Sequence, residues 1–132
     1  MYNYYENVKA DVEDYINENK KYFFASDIDD LAEELNDGCW ISDSVTGNGS
    51  GSYTFNTLQA EENLAGNWDL LLEALENFGQ ADINPIEKGA EWCDVTIRCY
   101  LLSSAIDDVL EEMNSENNTV LEEIFNRNSD ED

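Results

Sequence analysis

Apolar residues recur every three or four positions through most of this chain, which is the pattern of helices that bury one face. A first helix is predicted over residues 4–19, and a second is predicted in the stretch ASDIDDLAEELNDG. Ser26 is the expected N-cap of the second helix, and Gly38 is its expected stop. The apolar positions are Tyr5, Val8, Val12 and Ile16 in the first helix, and Ile28, Leu31, Ala32 and Leu35 in the second.

A third amphipathic segment is LQAEENLAGNWDLLLEALENFG, where Gly66 and Asn67 are expected to kink or split the helix and Gly79 to end it. The sequence NPIEKG then predicts a single helical turn, because Asn84 is a favourable N-cap and Pro85 fits the first helical position. The predicted inner face of the third helix consists of Leu64, Trp68, Leu71, Leu72, Leu75 and Phe78.

Residues 89–114 form the most apolar segment, and their hydrophobic positions cover more than one face, as expected of a central helix. A last short helix is predicted in NTVLEEIFNR. Between the second and third helices, CWISDSVTGNGSGSYTFN breaks the helical rhythm and predicts a long loop with strand arms at residues 39–41 and 53–55.

The expected fold class is therefore mainly α, with a short β-hairpin around residues 39–55. A single compact helical domain is expected over residues 1–126, followed by a mobile acidic tail over residues 127–132. At the other end, Tyr5 is expected to dock on the core, whereas Tyr2 and Tyr4 are candidates for exposed contacts with a partner.

The charge of the chain is extreme. It has 31 acidic residues against 6 basic ones, and its formal net charge is −25. Self-repulsion of this size opposes compaction, and disordered acidic segments are poor in large apolar residues. This chain is 42% hydrophobic and 11% aromatic, with three Trp, so we expect it to fold.

Nothing in the sequence predicts export or membrane insertion. The N-terminus has neither a basic region nor an apolar run typical of a signal peptide, and no segment reaches the roughly 20 apolar residues of a membrane span. The three cysteines are odd in number and form no C-x-x-C pair, which is typical of reduced thiols. We expect a cytoplasmic protein that does not bind membranes.

Catalysis, cofactor binding and metal binding are not predicted. The chain has no His, so the commonest general base is missing, and among 31 carboxylates the spacing of any pair is uninformative. The loop DSVTGNGSGS does not match a calcium loop, because Val45 and Gly47 stand where ligands should be. It also lacks the ending of a phosphate-binding loop. Residues 42–52 are therefore expected to form a flexible surface loop or a partner contact.

The acidic residues form rows at helical spacing. On an α-helix, carboxylates four residues apart lie about 6 Å from each other, which is close to the spacing of phosphates along a nucleic-acid strand. Rows of this kind with no interleaved Lys or Arg predict a surface that binds a basic groove. The predicted partner-binding residues are Asp27, Asp29, Asp30, Glu33, Glu34, Asp37, Asp107, Asp108, Glu111, Glu112 and Glu116, called the acid set below.

At GCWISDSVTGNGSGSYTFN and GAEWCDVTIRCYLLSSAI the chain resembles small acidic proteins of phages and mobile elements from low-GC Gram-positive bacteria. The resemblance covers about residues 35 to 112 and carries no catalytic or binding motif. By size and charge the chain is similar to nucleic-acid mimics of such elements, the antirestriction and anti-CRISPR proteins. This likeness implies inhibition of a host defence nuclease, with a basic nucleic-acid-binding protein as partner and no direct binding of nucleic acid.

Three other interpretations fit the sequence. An acidic immunity protein or antitoxin would neutralise a basic toxin through the same electrostatics. A regulatory interaction protein of a phage would carry its acidity incidentally, and its function would survive reversal of charge at Glu111, Glu112 and Glu116. A salt-rich host could also select for an acidic surface. The sequence identifies neither the target nor the oligomeric state.

Overall fold

The computed structural model describes residues 4–42, 45, 61–62, 64–116 and 119–129, and these contain six α-helices with defined bounds and no strand. The mainly α fold predicted from the sequence is confirmed. The helices are α1 (Tyr5–Asn19), α2 (Ile28–Ile41), α3 (Trp68–Asn77), α4 (Pro85–Lys88), α5 (Ala90–Ser115) and α6 (Thr119–Ser129).

Helix α5 is the axis of the molecule, as its apolar residues on more than one face predicted. Its C-terminal half lies in a core shared with α1, α2 and α6, whereas its N-terminal half packs against α3 in a smaller cluster. The larger cluster is centred on Val12, Ile16, Leu31, Leu35, Ile106, Leu110 and Ile124, and the smaller one comprises Leu71, Leu75, Cys93, Ile97 and Leu101.

Side-chain pairs give the directions of α1 and α2 relative to α5. The Tyr5 hydroxyl donates to Asp108, and one turn later Lys9 pairs with Glu112, so α1 and α5 run parallel. Helix α2 runs the other way, because its first turn lies beside residue 107 whereas Trp40, near its end, shares a groove with Cys99. The exposed acids of α2 and α5 therefore lie on neighbouring helices.

The predicted ends of α2 were wrong at both positions. Asp27, not Ser26, is the N-cap, and its carboxylate accepts a hydrogen bond from the amide of Asp30 at 2.8 Å. Gly38 does not stop the helix. A Cβ at this position would collide with the hydroxyl of Tyr15, so the glycine is explained by a close approach between α1 and α2.

The predicted hairpin is wrong in its first arm, because residues 39–41 are the last residues of α2. Packing of the last turn extends the helix: Cys39 is buried, and the Ser42 amide donates to its carbonyl at 3.3 Å. The second arm, residues 53–55, lies outside the described residues, as does most of the loop 42–52. Within that loop Val45 is described, and it is buried in the larger core cluster.

Glycines divide and end the third segment as predicted. Gly66 has φ = 79° and separates the described residues 61, 62 and 64 from α3, and Gly79 has φ = 71° after the last turn of α3. The predicted inner face was partly wrong. Leu71, Ala74 and Leu75 are buried, whereas Trp68, Leu72 and Phe78 are partly exposed to solvent, because α5 covers only one side of a helix whose apolar residues spread around it.

The chain end differs from the predicted tail. Helix α6 continues through Ser129, and the Arg127 guanidinium donates to the carbonyls of Lys20 and Phe23. Residues 127–129 therefore belong to the folded unit, and residues 130–132 lie outside the described residues. No helix in the described ranges combines the length and hydrophobicity needed to cross a membrane.

Candidate functional site

Every residue of the acid set lies in the described part of the chain. They occupy the N-cap and first three turns of α2, the last turns of α5, and the C-cap of α5, which is Glu116. All are exposed except Glu34, which is half-buried. The two helices are neighbours, so the fold brings together two rows that lie about 70 residues apart in sequence.

Two acids of α2 have structural roles. Asp27 caps the helix, as described above, which satisfies one of the amides that the first turn leaves without an intrahelical partner. Glu34 accepts hydrogen bonds from the amide of Phe24 at 2.8 and 3.2 Å and thereby ties α2 to the segment that precedes it.

Two acids of α5 also have structural roles, both toward α1. Asp108 accepts a hydrogen bond from the Tyr5 hydroxyl. Burial and this hydrogen bond raise the pKa of Tyr5, so the phenol stays protonated and keeps donating at neutral pH. Glu112 forms an ion pair with Lys9 at 2.8 Å. These contacts link α1 to α5 and also neutralise part of the row.

The remaining acids have no side-chain hydrogen bond or ion pair among the described residues, and we call them the outer acids. Asp107 and Asp29 connect their two rows. Partial burial raises the pKa of Asp107, and the nearby carboxylates of Asp108 and Asp29 raise it further. The rows of α2 and α5 therefore meet. The outer acids are Asp29, Asp30, Glu33, Asp37, Asp107, Glu111 and Glu116.

Four of the six basic residues contact groups outside the acid set. Arg98 pairs with the buried Asp94 at 3.3 Å, and Lys20 pairs with Glu123 at 3.1 Å. Lys88 lies over the ring of Trp92, and Arg127 is bound to backbone carbonyls. Among the described residues, Lys9 with Glu112 is the one ion pair that involves the acid set.

Two shallow grooves carry most of the acid set. The first, the α5 groove, has a volume of about 370 Å³ and is lined by Asp108, Glu111, Glu112, Ser115 and Glu116. The second, the Phe24 groove, has a volume of about 300 Å³ and is lined by Phe24, Ala25, Asp30, Glu33, Glu34 and Asp37. Both are open, carboxylate-lined surfaces suited to cationic side chains.

Sequence reasoning missed two features of this region. Phe24 was placed in a connecting segment, yet it is largely exposed at the rim of an acidic groove. The signal for it is the pair Phe23–Phe24 outside any helix, because successive side chains of an extended segment point to opposite sides. A larger groove of about 480 Å³, between the end of α2 and α5, is lined by Asn36, Asp37, Trp40, Ile41, Cys99 and Leu102.

The described residues contain no group of three or more Cys, Asp or Glu side chains arranged to hold a metal ion. Burial raises the pKa of Cys39 to about 12, and burial also raises the pKa of Cys93 and Cys99. These thiols are therefore protonated at neutral pH and weak nucleophiles.

The N-terminal tyrosines differ from the prediction in one respect. Tyr4 is half-buried between the two core clusters, and its hydroxyl is enclosed without a hydrogen-bond partner among the described residues. Burial raises its pKa to about 12. Tyr4 is therefore part of the fold rather than an exposed contact, and Tyr2 lies outside the described residues.

Comparison with known proteins gives no relative: no family model matches the sequence, no curated protein matches it, and no solved structure matches the fold.

Proposed function

We propose that this protein mimics nucleic acid and inhibits a host defence nuclease, of the CRISPR or restriction type, by occupying its basic DNA- or RNA-binding groove. The observation that carries the proposal is that the two acid rows lie on neighbouring helices and approach each other at Asp29 and Asp107, with no ion pair to either residue in the described part of the chain. Their union extends negative charge across two helices, as a strand of phosphates extends it along a duplex.

Five of the outer acids have no visible role in the fold, which supports a role in binding; the other two, Asp29 and Asp30, lie in the first turn of α2, where negative charge favours the helix. Like charges at neighbouring positions of helices destabilise them, and a net charge of about 2 to 8 in magnitude already keeps a small domain soluble. With a net charge of −25, the chain bears far more repulsion than solubility requires. A cationic groove on a partner would relieve this repulsion on binding.

The expected binding behaviour follows from the charge. Lys and Arg side chains that line a nucleic-acid groove would be attracted over about a Debye length, which is near 8 Å at physiological salt. Association should therefore be fast and should slow steeply as salt rises. Binding should also exclude nucleic acid, because both ligands need the same cationic side chains.

The test is an inhibition assay on a panel of purified defence nucleases, which includes CRISPR effectors with guide RNA and restriction enzymes. The protein should block cleavage by at least one of them, and excess non-cleavable duplex or guide RNA should restore cleavage. A nuclease that is inhibited equally with and without the nucleic-acid competitor would contradict mimicry, as would inhibition that is insensitive to salt.

A matched pair of variants tests whether inhibition depends on where the negative charges lie or only on how many there are. The first carries Asp29→Asn, Asp107→Asn and Glu111→Gln, in the outer acids. The second carries Glu13→Gln, Asp14→Asn and Glu18→Gln, at exposed positions of α1. Both lose the same number of negative charges. Inhibition should weaken at least tenfold in the first variant and change little in the second.

A further inference from the structure

Phe24 lies between α1 and α2 with 85% of its surface exposed. Its neighbours face the core: Phe23 keeps 6% of its surface exposed and Ala25 keeps 3%. The alternation is that of an extended segment, whose successive side chains point to opposite sides. A single exposed phenylalanine is ordinary on a protein surface, so its meaning depends on what holds it and what surrounds it.

Hydrogen bonds from two helices hold the backbone on both sides of Phe24. Its amide donates to the two carboxylate oxygens of Glu34, at 2.8 and 3.2 Å. Asn128 of α6 donates to the carbonyls of Phe23 and Ala25, at 3.0 and 2.6 Å, and Arg127 donates to the same Phe23 carbonyl. The ring cannot turn inward without breaking these bonds, so little backbone entropy is lost when a partner binds it.

Carboxylates surround the ring on one side. Asp30, Glu33 and Asp37 line the Phe24 groove together with Glu34, and no ion pair among the described residues neutralises them. A second copy of the chain is a poor occupant, since it brings a net charge of −25 against the same sign. The groove therefore suits a cationic side chain that can also use an aromatic face.

We propose that Phe24 is an anchor for an arginine side chain of a basic protein partner, and that the Phe24 groove makes binding selective for arginine over lysine. The inference rests on the proposed function for its cationic partner. A guanidinium is planar and weakly hydrated, so it stacks on an aromatic ring while its N–H groups donate to carboxylates. A lysine ammonium is compact and strongly hydrated, and it gains less from the ring.

The experiment is an NMR titration of the isotope-labelled full chain with two short peptides of equal length and charge, one rich in arginine and one rich in lysine. The arginine peptide should cause its largest shift changes at Phe24 and the groove residues around it. It should bind there about 3- to 30-fold more tightly than the lysine peptide, as expected for a cation–π contact.

Two substitutions isolate the ring. Phe24→Leu keeps apolar bulk but removes the aromatic face, and it should abolish most of the preference for arginine. Ile86→Ala is the matched control, because Ile86 is 78% exposed but lies in α4, on a different groove. It should leave the preference unchanged, and unchanged amide spectra away from the site would show that both variants fold.

The possible results separate the two proposals. If both peptides bind the acid set but the Phe24→Leu variant still prefers arginine, the proposal that Phe24 is an anchor is contradicted. The acid set would still be a surface that binds cations, as the proposed function requires. If neither peptide shifts any residue of the acid set at low salt, both the anchor and the proposed function are contradicted.

Discussion

The two halves of α5 use carboxylates in opposite ways. In the N-terminal half, Asp94 is 0% exposed, and Arg98 one turn later lies 3.3 Å from it. In the C-terminal half, Asp107 is exposed beside Asp108 and Asp29, and no cation pairs with it among the described residues. The chain therefore places a cation where a buried charge needs one. The small number of basic residues therefore does not by itself explain why the acid rows of α2 and α5 lack cationic partners.

The covering of α5 also differs between its two halves. Around the N-terminal half, Trp68, Leu72 and Ile86 are exposed, and the core cluster beneath them is small. Around the C-terminal half, α1, α2 and α6 cover the apolar side of α5, and most of the exposed positions of α5 itself are carboxylates. The C-terminal half therefore combines the larger core with the exposed carboxylates, and we expect this end of the helix to bind.

The largest loss of stability is expected from Arg98→Met. This substitution leaves the buried Asp94 carboxylate without its neighbouring cation, and breaking a buried ion pair costs about 3 to 5 kcal/mol. Urea unfolding followed by circular dichroism measures it. The double variant Asp94→Leu with Arg98→Met should recover a large part of the loss, because no uncompensated charge then remains. A double variant as unstable as the single one would contradict this assignment.

A somewhat smaller loss is expected from Leu71→Ala in the α3 cluster. Leu71 is fully buried, and truncation of a buried leucine costs about 2 to 5 kcal/mol. Under conditions where the variant remains folded, its affinity for the arginine peptide should equal that of the wild type, because the cluster lies at the other end of α5. A parallel loss of affinity, with the spectrum of the folded state intact, would show that the two halves are coupled.

A small gain in stability is expected from Asp107→Asn at neutral pH, about 0.3 kcal/mol, because it removes a carboxylate that is disfavoured by partial burial and by like-charge repulsion from Asp108 and Asp29. The pKa of Asp107 is raised in the folded state, so its unfavourable contribution is present above that pKa and fades as the pH falls through it. The advantage of the variant should therefore vanish on acidification. Unfolding free energies measured across that pH range check this, and a variant advantage that grows in acid would contradict it.

The smallest effect is expected from Lys9→Met. The Lys9–Glu112 ion pair lies at an exposed carboxylate, where pairing contributes little to stability. The change should affect binding more than folding, since it frees Glu112 and increases the negative charge of the α5 groove. Titration with the arginine peptide should show slightly tighter binding, with an unfolding midpoint close to that of the wild type. Weaker binding would mean that Glu112 must be held by Lys9 to act.

Helical periodicity predicted α1, α2, α3 and α6, because each of these helices buries one apolar face. Rules based on neighbouring residues failed where contacts between helices determine the end of a helix or the burial of a side chain. Gly38 is of a type that often ends helices, but here the glycine lies inside α2, where the Tyr15 side chain approaches its backbone closely. The helix continues past it because Cys39 is buried in the core. Leu72 was predicted to be buried because it belongs to an apolar run, but one neighbouring helix covers only one side of α3.

The sequence predicted which acidic residues share a helix face, but it did not predict how these faces lie next to each other in the fold. The rows of α2 and α5 follow from the sequence, since carboxylates four residues apart share a face. Their meeting at Asp29 and Asp107 depends on the antiparallel packing of the two helices, which no local pattern specifies. The roles of Asp108 and Glu112 toward α1, and the display of Phe24, likewise depend on tertiary contacts.

The most direct measurement is the salt dependence of affinity for an inhibited nuclease, compared between the two charge-matched variants. The logarithm of the association constant should fall linearly with the logarithm of salt concentration. Neutralising Asp29, Asp107 and Glu111 should make that slope clearly shallower, whereas neutralising Glu13, Asp14 and Glu18 should leave it near the wild-type value. Equal slopes in the two variants would mean that the total charge matters and its arrangement on α2 and α5 does not.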